Sequence, residues 1–141
     1  MLWAAGTFST AGLDSNLPMS ALRILIVDDN ERIRTSIARV LSDETAWAIC
    51  GEARTSREAL DAAIATAPDV ILLDVNLPDA QGSDTVSLIR TQLPHVTVVL
   101  ISANSVGAMS AAAQQSGADA WLDKSLLATD LVPTIRSLCD H

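Results

Sequence analysis

Apolar residues along the chain fall into two alternating patterns: short unbroken runs, and longer stretches spaced at a helical period. Ile24-Leu25-Ile26-Val27 is a continuous run of the kind found in a strand covered on both faces. Ile33, Ile37, Val40 and Leu41 follow at i, i+4, i+7 and i+8, one face of a helix. Trp47 to Ala53 reads as a second, more mixed strand. Thr55 and Glu58 have the spacing of a capping box for the next helix, with Leu60 and Ile64 as its expected inner stripe and Ala67-Pro68 as its stop. Val70 to Leu73 predicts a third strand running straight into Asp74. Beyond the turn residues Pro78-Asp79-Ala80-Gln81-Gly82, the spacing of Val86, Ile89 and Leu93 marks a third helix, closed by Pro94. The pattern then predicts a strand from Val96 to Ile101, an uncharged Ala-rich helix over 104–116 ended by Gly117, and a strand from Ala118 to Leu122. A last helix is expected over 126–139, with Leu131, Ile135 and Leu138 inward and Pro133 positioned to kink or shorten it.

Strand and helix alternate five times, which predicts a doubly wound parallel sheet with helices on both faces. Sheets of this kind bind ligands outside the carboxyl ends of their strands. Those ends carry Asp28 and Asp29 after the first strand, Asp74 after the third, Ser102 after the fourth and Lys124 after the fifth. Three carboxylates at one point raise each other's pKa values unless a cation joins them. Mg²⁺ suits such oxygen ligands, and a metal on Asp28 and Asp29 could bridge Asp74 to a phosphoryl group. Asp74 is then a candidate nucleophile, with Lys124 offsetting charge and Ser102 donating to a phosphoryl oxygen. Each residue also has a plainer reading: Asp29 or Asn30 could cap the first helix, Ser102 could be a loop hydroxyl, and Lys124 a solvated charge. The conjunction at consecutive strand ends carries the case.

Composition narrows the function. A chain of 141 residues fits one domain, and its net charge of −8 argues against direct contact with nucleic acid. Of nine cationic residues eight are arginine, which leaves Lys124 as the only lysine. Cys50 and Cys139 have no metal spacing and read as partly buried small hydrophobes in a reducing cytoplasm. Residues 1–21 hold a single acidic charge and no periodic face, so they read as a mobile N-terminal extension ahead of a domain over 22–141, with Met19 as an alternative start. They lack the basic start and apolar core of a signal peptide, and no run approaches the ~20 apolar residues a membrane span needs.

The stretches Ile24-Leu25-Ile26-Val27-Asp28-Asp29, Leu72-Leu73-Asp74-Val75-Asn76-Leu77-Pro78 with Gly82, Leu100-Ile101-Ser102-Ala103, and Gly117 through Lys124 together resemble the receiver domains of two-component response regulators. The resemblance covers about residues 22–139. It implies a flavodoxin-like (βα)5 sheet with strand order 2-1-3-4-5, and a signalling switch rather than a turnover enzyme. By the same resemblance Asp74 is the phosphoacceptor, Asp28 and Asp29 hold Mg²⁺ with Asp74 and the Asn76 backbone carbonyl, and Lys124 pairs with the phosphorylated aspartate. Ser102 and Trp121 are the implied switch pair, acting on the surface of the fourth helix, fifth strand and last helix. Asn76 and Asn104 hold the positions that tune phosphoryl lifetime. Implied partners are a sensor histidine kinase and an output protein or DNA-binding domain, with a dimer possible and no membrane contact. Gly51-Glu52-Ala53 looks like receivers fused to a helix-turn-helix domain of the LuxR/NarL type, and no such domain follows in this sequence. Ser125 stands where many receivers have a proline after a cis bond, so a trans bond and an altered loop are expected.

Three other readings remain open at this level. A flavin mononucleotide module shares the sheet order, but Asp28-Asp29-Asn30-Glu31 would repel its phosphate unless metal were bound. A phosphotransfer enzyme with an Asp nucleophile after its first strand usually has a second Asp two residues on, whereas Asp28 and Asp29 are adjacent. A receiver serving only as an interaction surface typically loses one of the residues that are intact here.

Overall fold

The computed structural model describes residues 21–103 and 117–139. Residues 1–20 of the expected extension over 1–21, the expected helix over 104–116 and Asn104 lie outside the described residues. Five strands, β1 (Leu22–Val27), β2 (Trp47–Ala53), β3 (Val70–Asp74), β6 (Thr97–Ser102) and β7 (Ala120–Asp123), form one sheet in the order β2-β1-β3-β6-β7. Every pairing in it is parallel, and counting these five strands alone the order is 2-1-3-4-5. Between β3 and β6 a short antiparallel ribbon, β4 (Asn76–Leu77) with β5 (Ala80–Gln81), occupies what the sequence presents only as a turn.

Parallel strands need crossovers, and helices α1 (Glu31–Leu41), α2 (Ser56–Thr66) and α3 (Gly82–Gln92) provide them. A 3₁₀ turn (Lys124–Leu126) leads from β7 into the last helix, α4 (Leu127–Cys139). Alternating strand side chains divide the interior into two cores. Leu25, Val27, Ile71, Leu73, Val98 and Leu100 meet α2 and α3 on one face. Ile24, Ile26, Val70, Leu72, Val99 and Ile101 meet α1 and α4 on the other. All five residues of β3 are buried, as its central place requires.

Asn30 is the residue that caps α1: its side chain accepts the Arg32 and Ile33 amides at 2.8 and 3.3 Å. Thr55 caps α2 by accepting the Glu58 amide at 3.0 Å, but the Glu58 carboxylate reaches back to the Arg54 amide rather than to that of Thr55. The expected inner stripe of α2 is corrected. Ala59 and Ala63 face the sheet, Leu60 is partly buried, and Ile64 is 56% exposed. Two alanines one turn apart let the helix lie close to the strands, and Ile64, about 100° further round, is turned to solvent. Pro133 does not shorten α4, which runs through it to Cys139 with Leu131 and Ile135 buried.

Two substitutions test this packing. Leu72→Ala opens a cavity in a site with no exposure and should cost about 2–5 kcal/mol. Ile64→Ala should change stability by about 0.5 kcal/mol or less. Denaturant midpoints at constant slope check both.

Candidate functional site

The carboxyl edge of the sheet is built by three strands that end in polar residues. Asp28 follows β1 and is 2% exposed, Asp74 ends β3 at 4%, and Ser102 ends β6 at 1%. Asp29, one residue beyond Asp28, is exposed. Carboxylate oxygens of Asp28, Asp29 and Asp74 all lie within 4.8 Å of one another. Lys124, the first residue after β7, turns its ammonium into this group, with Nζ 3.0 Å from Asp28 Oδ2 and 3.5 Å from Asp74 Oδ2.

Each buried aspartate has its other oxygen fixed by its own exit loop. Asp28 Oδ1 accepts the Asn30 amide at 2.8 Å, and Asp74 Oδ1 accepts the Asn76 amide at 3.1 Å. These are Asx turns, a local bond that a short acidic side chain makes to the backbone two residues on. They leave both Oδ2 atoms aimed at the shared space. Burial pushes the Asp74 carboxyl above its ordinary pKa, and the neighbouring Asp28 charge adds to this. The Asn76 amide and Lys124 act in the opposite direction without cancelling it. For Lys124, burial disfavours the ammonium, but the bond to Asp28 and the charges of Asp74 and Asp28 outweigh it and raise its pKa. An all-oxygen donor set in which a cation already bridges two carboxylates fits a hard divalent ion such as Mg²⁺, with the three aspartates as its holders.

Three supports around this centre act through contacts that the sequence does not display. Arg34, on the second turn of α1, bonds the Asp28 backbone carbonyl at 2.6 Å and the Glu52 carboxylate at 2.9 Å. Its side chain is 12% exposed, so it anchors the acidic loop to β2 from inside. A cation beside the apolar positions Ile33 and Ile37 was the available hint. Gly82 lets the loop after Asp74 fold back: its amide bonds the Val75 carbonyl at 2.7 Å, and a Cβ there would stand 2.9 Å from Val75 Cα. Asp79, at the tip of the β4–β5 ribbon, accepts the Ser56 and Arg57 amides at 2.8 and 3.1 Å and so caps α2 from a distant segment. Beneath it the buried Thr85 hydroxyl lies 2.9 Å from the Ser56 hydroxyl.

Ser102 pairs in register with Asp123, at the end of the neighbouring strand. Trp121 is partly buried and packs against the core that holds Leu73, Val98 and Leu100. No cis peptide occurs among the described residues, so the bond from Lys124 to Ser125 is trans as expected. Asn76 is exposed on β4. No helix among the described residues is long and apolar enough to cross a membrane.

A doubly wound parallel sheet with paired acids, a strand-end aspartate and a lysine at its carboxyl edge defines a signalling receiver module. The family model for the response regulator receiver domain matches residues 24–136, and the chain belongs to that family. It is 29% identical to the response regulator protein VraR of Staphylococcus saprophyticus over 115 residues, covering 82% of this chain and 55% of that protein. It is also 29% identical to the response regulator UvrY of Escherichia coli over 117 residues, covering 83% of this chain and 54% of that one. The chain thus spans about half the length of these curated relatives. Among solved structures, the signal receiver domain ascribed to NarL from Mycobacterium tuberculosis matches with TM-score 0.77 and 30% identity over 84% of this chain and 96% of that one. A CheY-like receiver domain protein from Methanospirillum hungatei matches with TM-score 0.77 and 27% identity, covering 86% and 95%.

The Asp79 cap has a pH signature. The Ser56 amide holds its carboxyl below the usual range, more than desolvation raises it, with the Arg57 amide adding to the effect. A carboxylate with a depressed native pKa adds stability above its unfolded pKa of about 3.9 and loses it as pH falls through the native value. Asp79→Ala should therefore melt below wild type at pH 7, and the gap should close on acidification below about pH 4. Paired thermal melts across pH measure it.

Proposed function

We propose that this chain is a phosphorylatable switch of a two-component system, taking a phosphoryl group on Asp74 from a histidine kinase or a small acyl phosphate. The observation that carries this reading is the convergence of Asp28, Asp29 and Asp74 on one point with Lys124 bridging Asp28 and Asp74. Asp74 is the nucleophile. One carboxylate oxygen forms a bond to phosphorus as the bond from phosphorus to the donor's oxygen or imidazole nitrogen breaks, and the leaving group keeps the electron pair. Asp28, Asp29, Asp74 and the Asn76 backbone carbonyl would hold Mg²⁺, which when bound neutralises charge on the phosphoryl oxygens.

Lys124 orients and pairs with the modified Asp74, since one point cation on a flexible stem can follow the oxygen it balances. Asn30 and Asn76 amides keep Asp28 and Asp74 in place throughout. Ser102 and Trp121 then carry the change to the surface around β7 and α4. The chemistry is self-phosphorylation and self-dephosphorylation, not turnover of a substrate. Residues 22–141 form the receiver, with 1–21 as an extension, in a cytoplasmic protein whose output runs through a further domain or a separate partner.

Intact mass after incubation with Mg²⁺ and a small acyl-phosphate donor tests the proposal. Wild type should gain one phosphoryl adduct, while Asp74→Asn and a chelated sample gain none. An unmodified wild type would sink the reading and leave an interaction module with a receiver fold.

A further inference from the structure

Lys124 reaches the acidic cluster from the first residue of a 3₁₀ turn, and the side chain that shapes that turn is Asp123. Asp123 Oδ1 accepts the Ser125 amide at 2.9 Å and the Ser125 hydroxyl at 2.7 Å. One carboxylate oxygen therefore takes both Ser125 donors and closes a loop that spans Lys124. The same local bond orders the exits of β1 and β3, where it fixes a carboxylate that itself faces the site. At β7 the aspartate stands outside the cluster of Asp28, Asp29 and Asp74, and the residue whose direction it sets is the next one, Lys124.

We propose that Asp123 is a positioning residue for Lys124: by holding Ser125 it fixes the backbone direction from which Nζ meets Asp28 and Asp74. The geometric part stands alone, and its consequence for phosphoryl transfer rests on the function proposed above. A lysine side chain has four rotatable bonds and loses up to about 2 kcal/mol of rotamer freedom when its head is held. A freely turning backbone at its root adds to that loss and spreads Nζ over positions that miss one carboxylate or both.

Lys124 has two opposed effects on the site, and these separate positioning from general damage. Its ammonium sits on Asp28 Oδ2 and Asp74 Oδ2, on two of the three carboxylates that could hold a divalent cation, so it competes with metal. It also offsets the charge of an arriving phosphoryl group. A loosened Lys124 therefore gives tighter metal binding together with slower phosphorylation, whereas a disordered site gives weaker binding and slower phosphorylation.

The experiment uses the full chain as wild type, Asp123→Ala, Asp123→Asn, Lys124→Ala and the Asp123→Ala/Lys124→Ala double variant. Mg²⁺ alone is titrated by calorimetry, and labelling by an acyl phosphate is timed by intact mass. Asp123→Ala should label about five- to tenfold more slowly and bind Mg²⁺ more tightly than wild type, the direction also expected for Lys124→Ala. Asp123→Asn, whose Oδ1 can accept both Ser125 bonds, should match wild type on both counts. In the Lys124→Ala background, Asp123→Ala should add less than about a twofold change, because the residue it acts through is gone. Asp123→Ala labelling at the wild-type rate, Mg²⁺ binding unchanged or weakened, or an undiminished effect without Lys124 would each overturn the proposal. If wild type itself takes no label, the phosphoacceptor reading fails while the Mg²⁺ titrations still decide whether Asp123 acts through Lys124.

Discussion

Two carboxylates buried at the ends of adjacent strands repel each other unless a cation stands between them, and the rest of the site is arranged around that requirement. Asp28 and Asp74 are almost fully enclosed, at 2% and 4% exposure, and their nearest neighbours include each other's charge. Removing the cation from such a group leaves buried carboxylate charge uncompensated, at a cost on the order of 3–5 kcal/mol in fully buried pairs. Lys124 answers this from β7, which is not a neighbour of either strand. Its side chain has to pass the end of β6, where the residue is the small, buried Ser102. A long flexible cation just beyond the edge strand and a short hydroxyl on the strand between are thus two halves of one steric solution.

The sheet makes this convergence possible. Hydrophobic runs in β1, β3 and β6 bury those strands on both faces, and buried polar residues stand where the strands emerge at the carboxyl edge. A one-residue slip of β3 would exchange the side chains of Leu72 and Leu73 between the two cores. It would also move Asp74 away from Asp28. The cores therefore hold the register that the chemistry needs, and the site's geometry follows from apolar packing several residues away.

That division explains what the sequence reveals and what it hides. Unbroken apolar runs and helical periods read out the strands and helices, and with them the acidic strand ends, because those signals are local and strong. Ile64 misleads because it fits the helical period, yet the small Ala59 and Ala63 decide which side of α2 approaches the sheet. Asp79 looks like a turn former, since its work is done on Ser56 and Arg57 in a segment 22 to 23 residues earlier. Arg34 looks like a surface cation, and only the folded chain puts it against the Asp28 carbonyl and Glu52. The residues that face the site were legible from position alone, whereas those that hold them in place depend on contacts between elements.

Local Asx bonds at the ends of β1, β3 and β7 bear on how sharply the site is defined. Strand ends are where a backbone gains freedom, so a cluster assembled from three of them should be loosely set. In each case an aspartate oxygen takes up the amide two residues on, and the first turn beyond the strand is fixed without help from distant segments. The long-range links from Arg34, Asp79 and Lys124 then have only rigid pieces to bring together. Precision at the centre comes from short bonds within each exit, and the charge of Lys124 acts across exits that are already formed. The cation consequently meets preset acceptors, and its two contacts can be broken and remade without refolding the loops that carry them.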